Sequence, residues 1–348
     1  MVEVAFAIPG DLRAPTGGYA YDREVLARLP QLGVRARHFP LPGSFPDPTP
    51  GDLAETQRLL AALPSDTVIF IDGLAFGAMP ADVISTVRAP IVALVHHPLG
   101  YEPGLSEQRA RELNELEKRA LAFARRVVVS SDFTKRLLAS EFDVPVDIIT
   151  VAEPGTNPAE RARGTGNPLQ ILSIGSITPR KGFVFLVEAL AGIQDLDWRL
   201  TIAGPHDRDP AEVSRLKVVI ARHGLEGRIE LAGALDRRQV AEAYAAADVF
   251  VLPSLFEGFG MVLTEAMARG LPIVCTTGGA AAETVPDEAA IKVPPGEVVR
   301  LRKALRRIIS DEDLRRQLAD AAWAAAQHLT RWETTAQRIA NVLREVAS

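Results

Sequence analysis

A chain of 348 residues is long enough for about two domains, and 47% hydrophobic with 24% charged residues, 26 glycines and 25 prolines excludes collagen-like, disulfide-scaffold and disordered classes. The single cysteine, Cys275, excludes an intramolecular disulfide and a cysteine-based zinc cluster and points to the reducing cytoplasm. The formal net charge of −5 lies in residues 1–155, where 15 Lys/Arg face 20 Asp/Glu, while residues 156–348 carry 24 of each. That balance disfavours nucleic acid and anionic membrane, both of which are bound through basic surface. Residues 1–6 show no basic region ahead of their apolar run, and no stretch approaches the length of a membrane span, so the expected location is cytosolic.

Taken in chain order, short β-branched runs predict strands at 2–8, 34–39, 67–71, 91–95, 127–130 and 148–151. Segments of helical period at 18–29, 52–63, 106–124 and 132–140 predict the helices between them. The glycine- and proline-dense stretch 154–168 then reads as a linker. Beyond it the scheme repeats, with strands at 169–174, 199–203, 228–231, 249–252, 273–275 and 290–293. Helices there are predicted at 183–191, 211–223, 238–246, 260–268, 297–309 and 311–328. A last helix opens at Trp332 and runs to about 346. The alternation predicts an α/β chain of two Rossmann-like, doubly wound parallel sheets: residues 1–155, a linker at 156–168, residues 169–330 and a terminal helix at 331–348. Open α/β sheets bind ligands beyond the carboxyl ends of their strands, so the site is expected in a cleft between the two halves.

In the helix at 106–124, Arg109, Arg111, Lys118 and Arg119, with Arg125 and Arg126 just beyond, are interleaved with Glu107, Glu112, Glu115 and Glu117. That is the look of a solvated helix laced with ion pairs, leaving at most weak membrane association.

The most informative segment runs from Pro253 to Ala268. A buried strand ends in a turn bracketed by Gly258 and Gly260 and passes directly into a helix. Glycines there let backbone approach a ligand closely, and free N–H groups at a helix start favour an anion such as phosphate. Glu257 sits in the turn and Glu265 about five residues into the helix, roughly 7–8 Å further along its axis. Two carboxylates flanking an anion site suit an elongated ligand with hydroxyl-bearing rings on both sides of a phosphate. Asp195-Leu196-Asp197 and Asp207-Arg208-Asp209 have the shape of metal-binding D-x-D pairs, but in a chain with 44 acidic residues such pairs are expected by chance.

The run E-G-F-G-x-x-x-x-E-A-M-A-x-G-x-P from Glu257 onward resembles the signature of family-four retaining glycosyltransferases of the GT-B fold. The resemblance implies that Glu257 binds donor sugar hydroxyls and Glu265 the nucleotide ribose, with the backbone of Gly258, Phe259, Gly260, Met261 and Val262 near the diphosphate and sugar. Leu172 to Gly182 is similar to the family's diphosphate loop. Lys181 matches the family lysine; Ser176 stands where an arginine is common, and Arg180 is the candidate replacement cation. The segment 229–235, with Gly233, corresponds to the nucleobase loop, and uridine, guanosine and adenosine donors all stay open.

In the first half, Gly17 and Gly18 resemble the family's amino-terminal glycine loop, with Tyr19 beside them. His96 matches the histidine at a strand end near the sugar, with His97 as the alternative. Asp72, at a comparable strand end, is read equally as an acceptor contact or a helix cap. The Trp332-Glu333-x-Thr335 opening resembles the tail that crosses back to the first domain, which makes Trp332 a packing anchor. The family resemblance implies a retaining hexose transfer from a nucleotide diphosphate sugar to the hydroxyl of a small-molecule or glycan acceptor. No metal or other cofactor is expected, the diphosphate charge being met by Lys181, Arg180 and a helix terminus. Two rivals stay open: a phosphorylase or epimerase on the same scaffold, and a catalytically silent nucleotide-sugar binder, to which Ser176 lends support.

Overall fold

The computed structural model describes residues 2–348. They form two compact units, one running to Gly155 and completed by Thr330–Ser348, the other Thr156–Leu329.

The first unit runs β1 (Val2–Pro9), α1 (Gly17–Arg28), β2 (Val34–Leu41), α2 (Pro50–Ala61), β3 (Val68–Asp72), α3 (Gly73–Phe76), α4 (Ala81–Ile84), β4 (Ile91–Val95), α5 (Glu107–Leu121), β5 (Arg126–Val129), α6 (Asp132–Glu141) and β6 (Ile149–Val151). The strands form one sheet in the order β2-β1-β3-β4-β5-β6, every pairing parallel. All five residues of β3 and of β4 are buried, as expected of parallel strands covered by helices on both faces. Helix starts coincide with capping side chains: Thr16 accepts from Tyr19 N–H at the head of α1, and Thr49 forms a capping box with Asp52 at the head of α2.

The second unit runs β7 (Leu169–Ile174), α7 (Phe183–Ala191), β8 (Trp198–Ala203), α8 (Pro210–Arg222), β9 (Ile229–Gly233), α9 (Arg237–Ala246), β10 (Val249–Leu252), α10 (Met261–Met267), β11 (Ile273–Thr276), α11 (Ala281–Thr284), β12 (Ala290–Val293), α12 (Val298–Ser310) and α13 (Glu312–Ala326). Its sheet is also six-stranded and parallel, in the order β12-β11-β10-β7-β8-β9. The strand order therefore reverses between β7 and β10, the position where open α/β sheets form ligand crevices. Apolar residues of α7, α8 and α12 bury one face of this sheet, while α10 and α13 cover the other.

Residues 156–168, expected to link two halves, are packed onto the second unit. Asp248 explains the docking: its carboxylate accepts the backbone N–H groups of Thr165, Gly166 and Gln170. Ala162 N–H donates to Arg269 O at 2.8 Å, and Thr156 Oγ1 donates to Thr264 Oγ1 at 2.8 Å. The chain then returns to the first unit as α14 (Trp332–Ala347). Trp332, Ile339 and Leu343 of α14 are buried, Thr335 donates to Glu153 O at 2.6 Å, and Trp332 packs edge-on against Tyr21 at 5.6 Å. Among the described residues, no helix is long and apolar enough to cross a membrane.

Helix α5 corrects one expectation. Most of its charges are solvated and paired, Arg111 with Glu107 and Lys118 with Asp143 among them. Glu117 is the exception at 1% exposure, its Oε2 accepting Leu99 N–H at 2.8 Å and its Oε1 unbonded. It faces the interior, against Leu99 and Gly77, because α5 turns Leu113, Glu117, Ala120 and Leu121 inward together. The two D-x-D pairs have structural uses: Asp195 is bridged by Arg306, and Asp209 caps α8 through Glu212 N–H.

Candidate functional site

In the second unit, the loops that follow β7 and β10 come together at the reversal of strand order. Lys181 Nζ lies 2.6 Å from Glu257 Oε1, and Arg180 Nη1 lies 3.3 Å from Glu257 Oε2. Ser254 Oγ donates to Glu257 Oε1 at 2.6 Å. One backbone bond and one side-chain bond clamp the loops as well, Leu255 N–H donating to Arg180 O at 2.7 Å and Arg180 Nη1 to Phe256 O at 3.0 Å. Residues assigned separately from sequence, the sugar-side glutamate and the diphosphate-side cations, are thus one cluster with a formal charge of +1.

The electrostatics follow from that arrangement. Burial acts to raise the Glu257 carboxyl, but Lys181 and then Arg180 overcome it and hold the group down at about 2. Glu257 is ionised throughout the neutral range and anchors both cations. The side chains of Lys181 and Arg180 are only 12% and 18% exposed, so their charge is weakly screened by water.

Gly182 makes the approach of the two loops possible. Its φ of +67° lies in the left-handed region, and a Cβ there would collide with the carbonyl oxygen of Pro253. Gly182→Ala is therefore expected to lower the stability of this unit by about 2–4 kcal/mol. Urea denaturation checks it, and a midpoint equal to that of the unsubstituted protein would contradict the role assigned to the glycine.

Gly258 and Gly260 bracket the turn into α10, which is only seven residues long and has no side-chain cap. Phe259, Met261 and Val262 are half-buried around it, with Phe259 O accepting from Thr284 Oγ1 at 2.5 Å. Glu265 accepts a 2.9 Å bond from Tyr244 Oη, and Arg269 stacks over that tyrosine ring at 4.2 Å. Burial raises the Glu265 carboxyl above its usual range, against the opposing effects of Tyr244 and Arg269. Ser176 is half-buried in the loop after β7, and Gly233 ends β9 with φ +70° and open space where a Cβ would be.

The first unit gathers a second group. Gly17 and Gly18, expected as a loop, instead form the first turn of α1, because Thr16 caps the helix ahead of them. Tyr19 lies in the same turn and donates its hydroxyl to Pro9 O at 2.6 Å. His97 turns to Glu102, with Nε2 to Oε2 at 3.1 Å. Asp72 is buried and caps α3, accepting Leu74 N–H at 2.7 Å. Its other oxygen lies 3.6 Å from His96 Nε2, and Asp22 Oδ1 lies 3.5 Å from the same nitrogen. Asp22 is fully buried, with no hydrogen-bond partner for either oxygen.

Asp22 is the site residue that sequence reasoning missed. Its signal was a carboxylate in line with Gly18 and Val25 on the inward face of α1, where Tyr21 and Val25 are buried.

Residues 4–160 match the family model described as Glycosyltransferase Family 4, and residues 159–324 match that of Glycosyl transferases group 1. The chain is 28% identical over 315 residues to the MMP alpha-(1->4)-mannosyltransferase of Mycolicibacterium hassiacum, covering 84% of this chain and 74% of that protein. Among solved structures, the sucrose-phosphate synthase of Thermosynechococcus elongatus is 22% identical, with a TM-score of 0.83 over 99% of this chain and 98% of that one. Anabaena HepE in complex with UDP-glucose is 20% identical, with a TM-score of 0.76 over 98% and 99%. The two family models between them account for residues 4–324, and on this ground the chain belongs to the family-four glycosyltransferases of the GT-B type.

Proposed function

We propose that the protein transfers a hexose from a nucleotide diphosphate sugar to an acceptor hydroxyl, with retention at the anomeric carbon and without a metal ion. The observation that carries this reading is the Lys181–Glu257–Arg180 cluster at the strand-order reversal of the second unit. The HepE structure with UDP-glucose supports a nucleotide-sugar donor, and the mannosyltransferase relative supports transfer of a hexose.

The chemistry needs a cationic site of this kind. The bond from the anomeric carbon to the diphosphate oxygen breaks, and negative charge gathers on the departing oxygens. The acceptor oxygen bonds to the same carbon from the same face, and its proton passes to the leaving diphosphate. Preorganised cations stabilise that charge as it develops, since Glu257 already holds them in place before reaction. In this reading Glu257 also meets sugar hydroxyls, Glu265 meets the ribose, and Ser176, Gly233 and the Gly258–Val262 backbone line the donor. His96, with Gly17 and Gly18, serves the sugar, while His97 and Tyr19 serve the acceptor; Asp72, buried as the cap of α3, takes the capping role of its two expected readings.

A thermal-shift screen with UDP-, GDP- and ADP-sugars tests the donor, because a ligand that binds the folded state raises its apparent stability by mass action. One nucleotide class is expected to raise the melting temperature by several degrees at about 100 times its Kd. Transfer is then read with that donor, and the anomeric configuration of the product is assigned by NMR. A product of inverted configuration would refute retention, and donor binding without any turnover would favour a silent binder.

A further inference from the structure

We propose that Asp22 and Asp72 are positioning residues for His96, which together keep a proton on its Nε2 and leave Nδ1 as the ring nitrogen that exchanges a proton. The geometry stands by itself; its consequence for transfer rests on the reading of His96 as a sugar-side residue.

Three elements converge on the imidazole: α1 supplies Asp22, the end of β3 supplies Asp72, and the end of β4 supplies His96. Nε2 is sealed from solvent, although the side chain as a whole is 22% exposed. The two oxygens nearest it belong to carboxylates, at 3.5 and 3.6 Å. Above about pH 7, where Asp72 is ionised, an unprotonated Nε2 would set its lone pair against carboxylate lone pairs, whereas an N–H there points between two acceptors; below it the imidazolium carries a proton on both nitrogens. The carboxylates are not free to turn away. Asp72 is fixed by its bond from Leu74 N–H, and Asp22 is packed within the core with no other partner.

The ring is held from its other sides too. A Cβ on Gly18 would lie 3.3 Å from His96 Cδ2 and 3.5 Å from Nε2, so the backbone of α1 passes directly against the imidazole. Tyr21 meets the ring edge-on at 5.1 Å, and its hydroxyl is tied to Ala152 O at 2.8 Å. Ser130 Oγ donates to His96 O at 3.0 Å, which fixes the backbone of the residue.

The charges agree with the geometry. Burial is the largest influence on His96 and acts to lower it, yet Asp22 and then Asp72 outweigh burial and leave the imidazole above its usual value. Asp72 is itself pushed up to about 7, by burial first and then by Asp22, with His96 opposing. With Nε2 protonated in both states of the ring, ionisation takes place at Nδ1. That atom donates a hydrogen bond at acid pH and accepts one from a hydroxyl at alkaline pH.

Long-range proton–nitrogen NMR on protein labelled with 15N-histidine, with the His96 signals assigned from His96→Gln, tests this directly. From about pH 6 to about pH 9, Nε2 is expected to hold the shift of a protonated nitrogen while Nδ1 titrates, with a midpoint above the free value of about 6.5. In Asp22→Asn the midpoint is expected to fall by about one pH unit. The acid limb of the pH–rate profile should move with it, and kcat should drop about tenfold or more while the donor KM stays within about twofold. Asp72→Asn, which keeps an oxygen for the α3 cap, should shift the titration in the same direction. A wild-type ring protonated on Nδ1 alone would overturn the proposal, as would an unchanged His96 midpoint in folded Asp22→Asn. Stoichiometric zinc or manganese retained at the cluster, measured by plasma mass spectrometry, would overturn it as well. The wild-type spectra decide the matter even where Asp22→Asn does not fold. They decide it also where no donor supports transfer, so failure of the functional reading is told apart from failure of this one.

Discussion

Alanine in place of Lys181 is expected to lower turnover by about 10²–10³ while the second unit stays folded. Lys181 Nζ is one of two cations gripped by the buried Glu257 carboxylate, 2.6 Å from it and shielded from water. A donor aimed at developing charge in such a setting is typically worth about 2.7–4 kcal/mol of transition-state stabilisation, which is the stated range of rates. The fold should survive because Glu257 keeps Arg180 at 3.3 Å and Ser254 at 2.6 Å. The stability cost is then smaller than the roughly 3–5 kcal/mol seen where a buried charge loses its sole partner. Steady-state kinetics of nucleotide release, read beside far-ultraviolet circular dichroism, check both halves of the expectation. Near-native turnover in a folded Lys181→Ala protein would remove Lys181 from the diphosphate site.

The second large effect concerns stability and lies in the first unit. Burial pushes the Glu117 carboxyl up to about 8, with the bond from Leu99 N–H opposing it only in part. In the unfolded chain the same group titrates near its ordinary value of 4.5. Between those values the folded state holds a proton that the unfolded state has released, so stability falls as pH rises from about 4.5 to about 8 and levels off beyond. The slope is about 1.4 kcal/mol per pH unit, giving a total of several kcal/mol against a typical domain stability of about 5–15 kcal/mol. Glu117→Gln removes the ionisation while keeping an oxygen for Leu99. It should match the parent protein near pH 4.5 and exceed it by several kcal/mol near pH 8 in urea titrations. Parallel pH profiles for the two proteins would show that Glu117 is not the group responsible. Glu257 works in the opposite direction and in another window. Held down at about 2, it contributes stability that is complete above 4.5 and is lost only as pH falls below that.

Much of the architecture was legible from residue patterns. Continuous apolar runs such as Ile91–Val95 and Val249–Leu252 are buried on both faces in parallel sheets, and they occupy the predicted positions without shift. Helix α7 likewise spans the predicted residues, because Gly182 starts it and Gly192 follows its end. The four-residue helices α3, α4 and α11 were not legible, since one turn carries no period to detect. Residues 156–168 looked like a linker for a related reason. Their glycines and prolines report local flexibility, but the carboxylate that docks them, Asp248, lies some eighty positions further on.

Functional residues divide along the same line. Glu257, Glu265 and Lys181 could be named from sequence because their spacing within single strand–turn–helix segments is local and belongs to a family signature. That Glu257 grips Lys181 and Arg180 could not be read there, since the contact joins loops 76 positions apart. Asp22 shows the limit most clearly. An aspartate on an amphipathic helix is ordinary until the ends of β3 and β4 place Asp72 and His96 against it. Glu117 differs from Glu115, two residues earlier on the same helix, only in which way the finished helix faces.

The sequence alone determined the α/β class, the two repeated halves and the segments that carry donor chemistry, because periodicity, capping and motif spacing act over a few residues. Only the tertiary structure decided which charges are buried together, and with that their protonation. Burial and Coulomb interaction depend on distances in space between residues that the chain order keeps far apart.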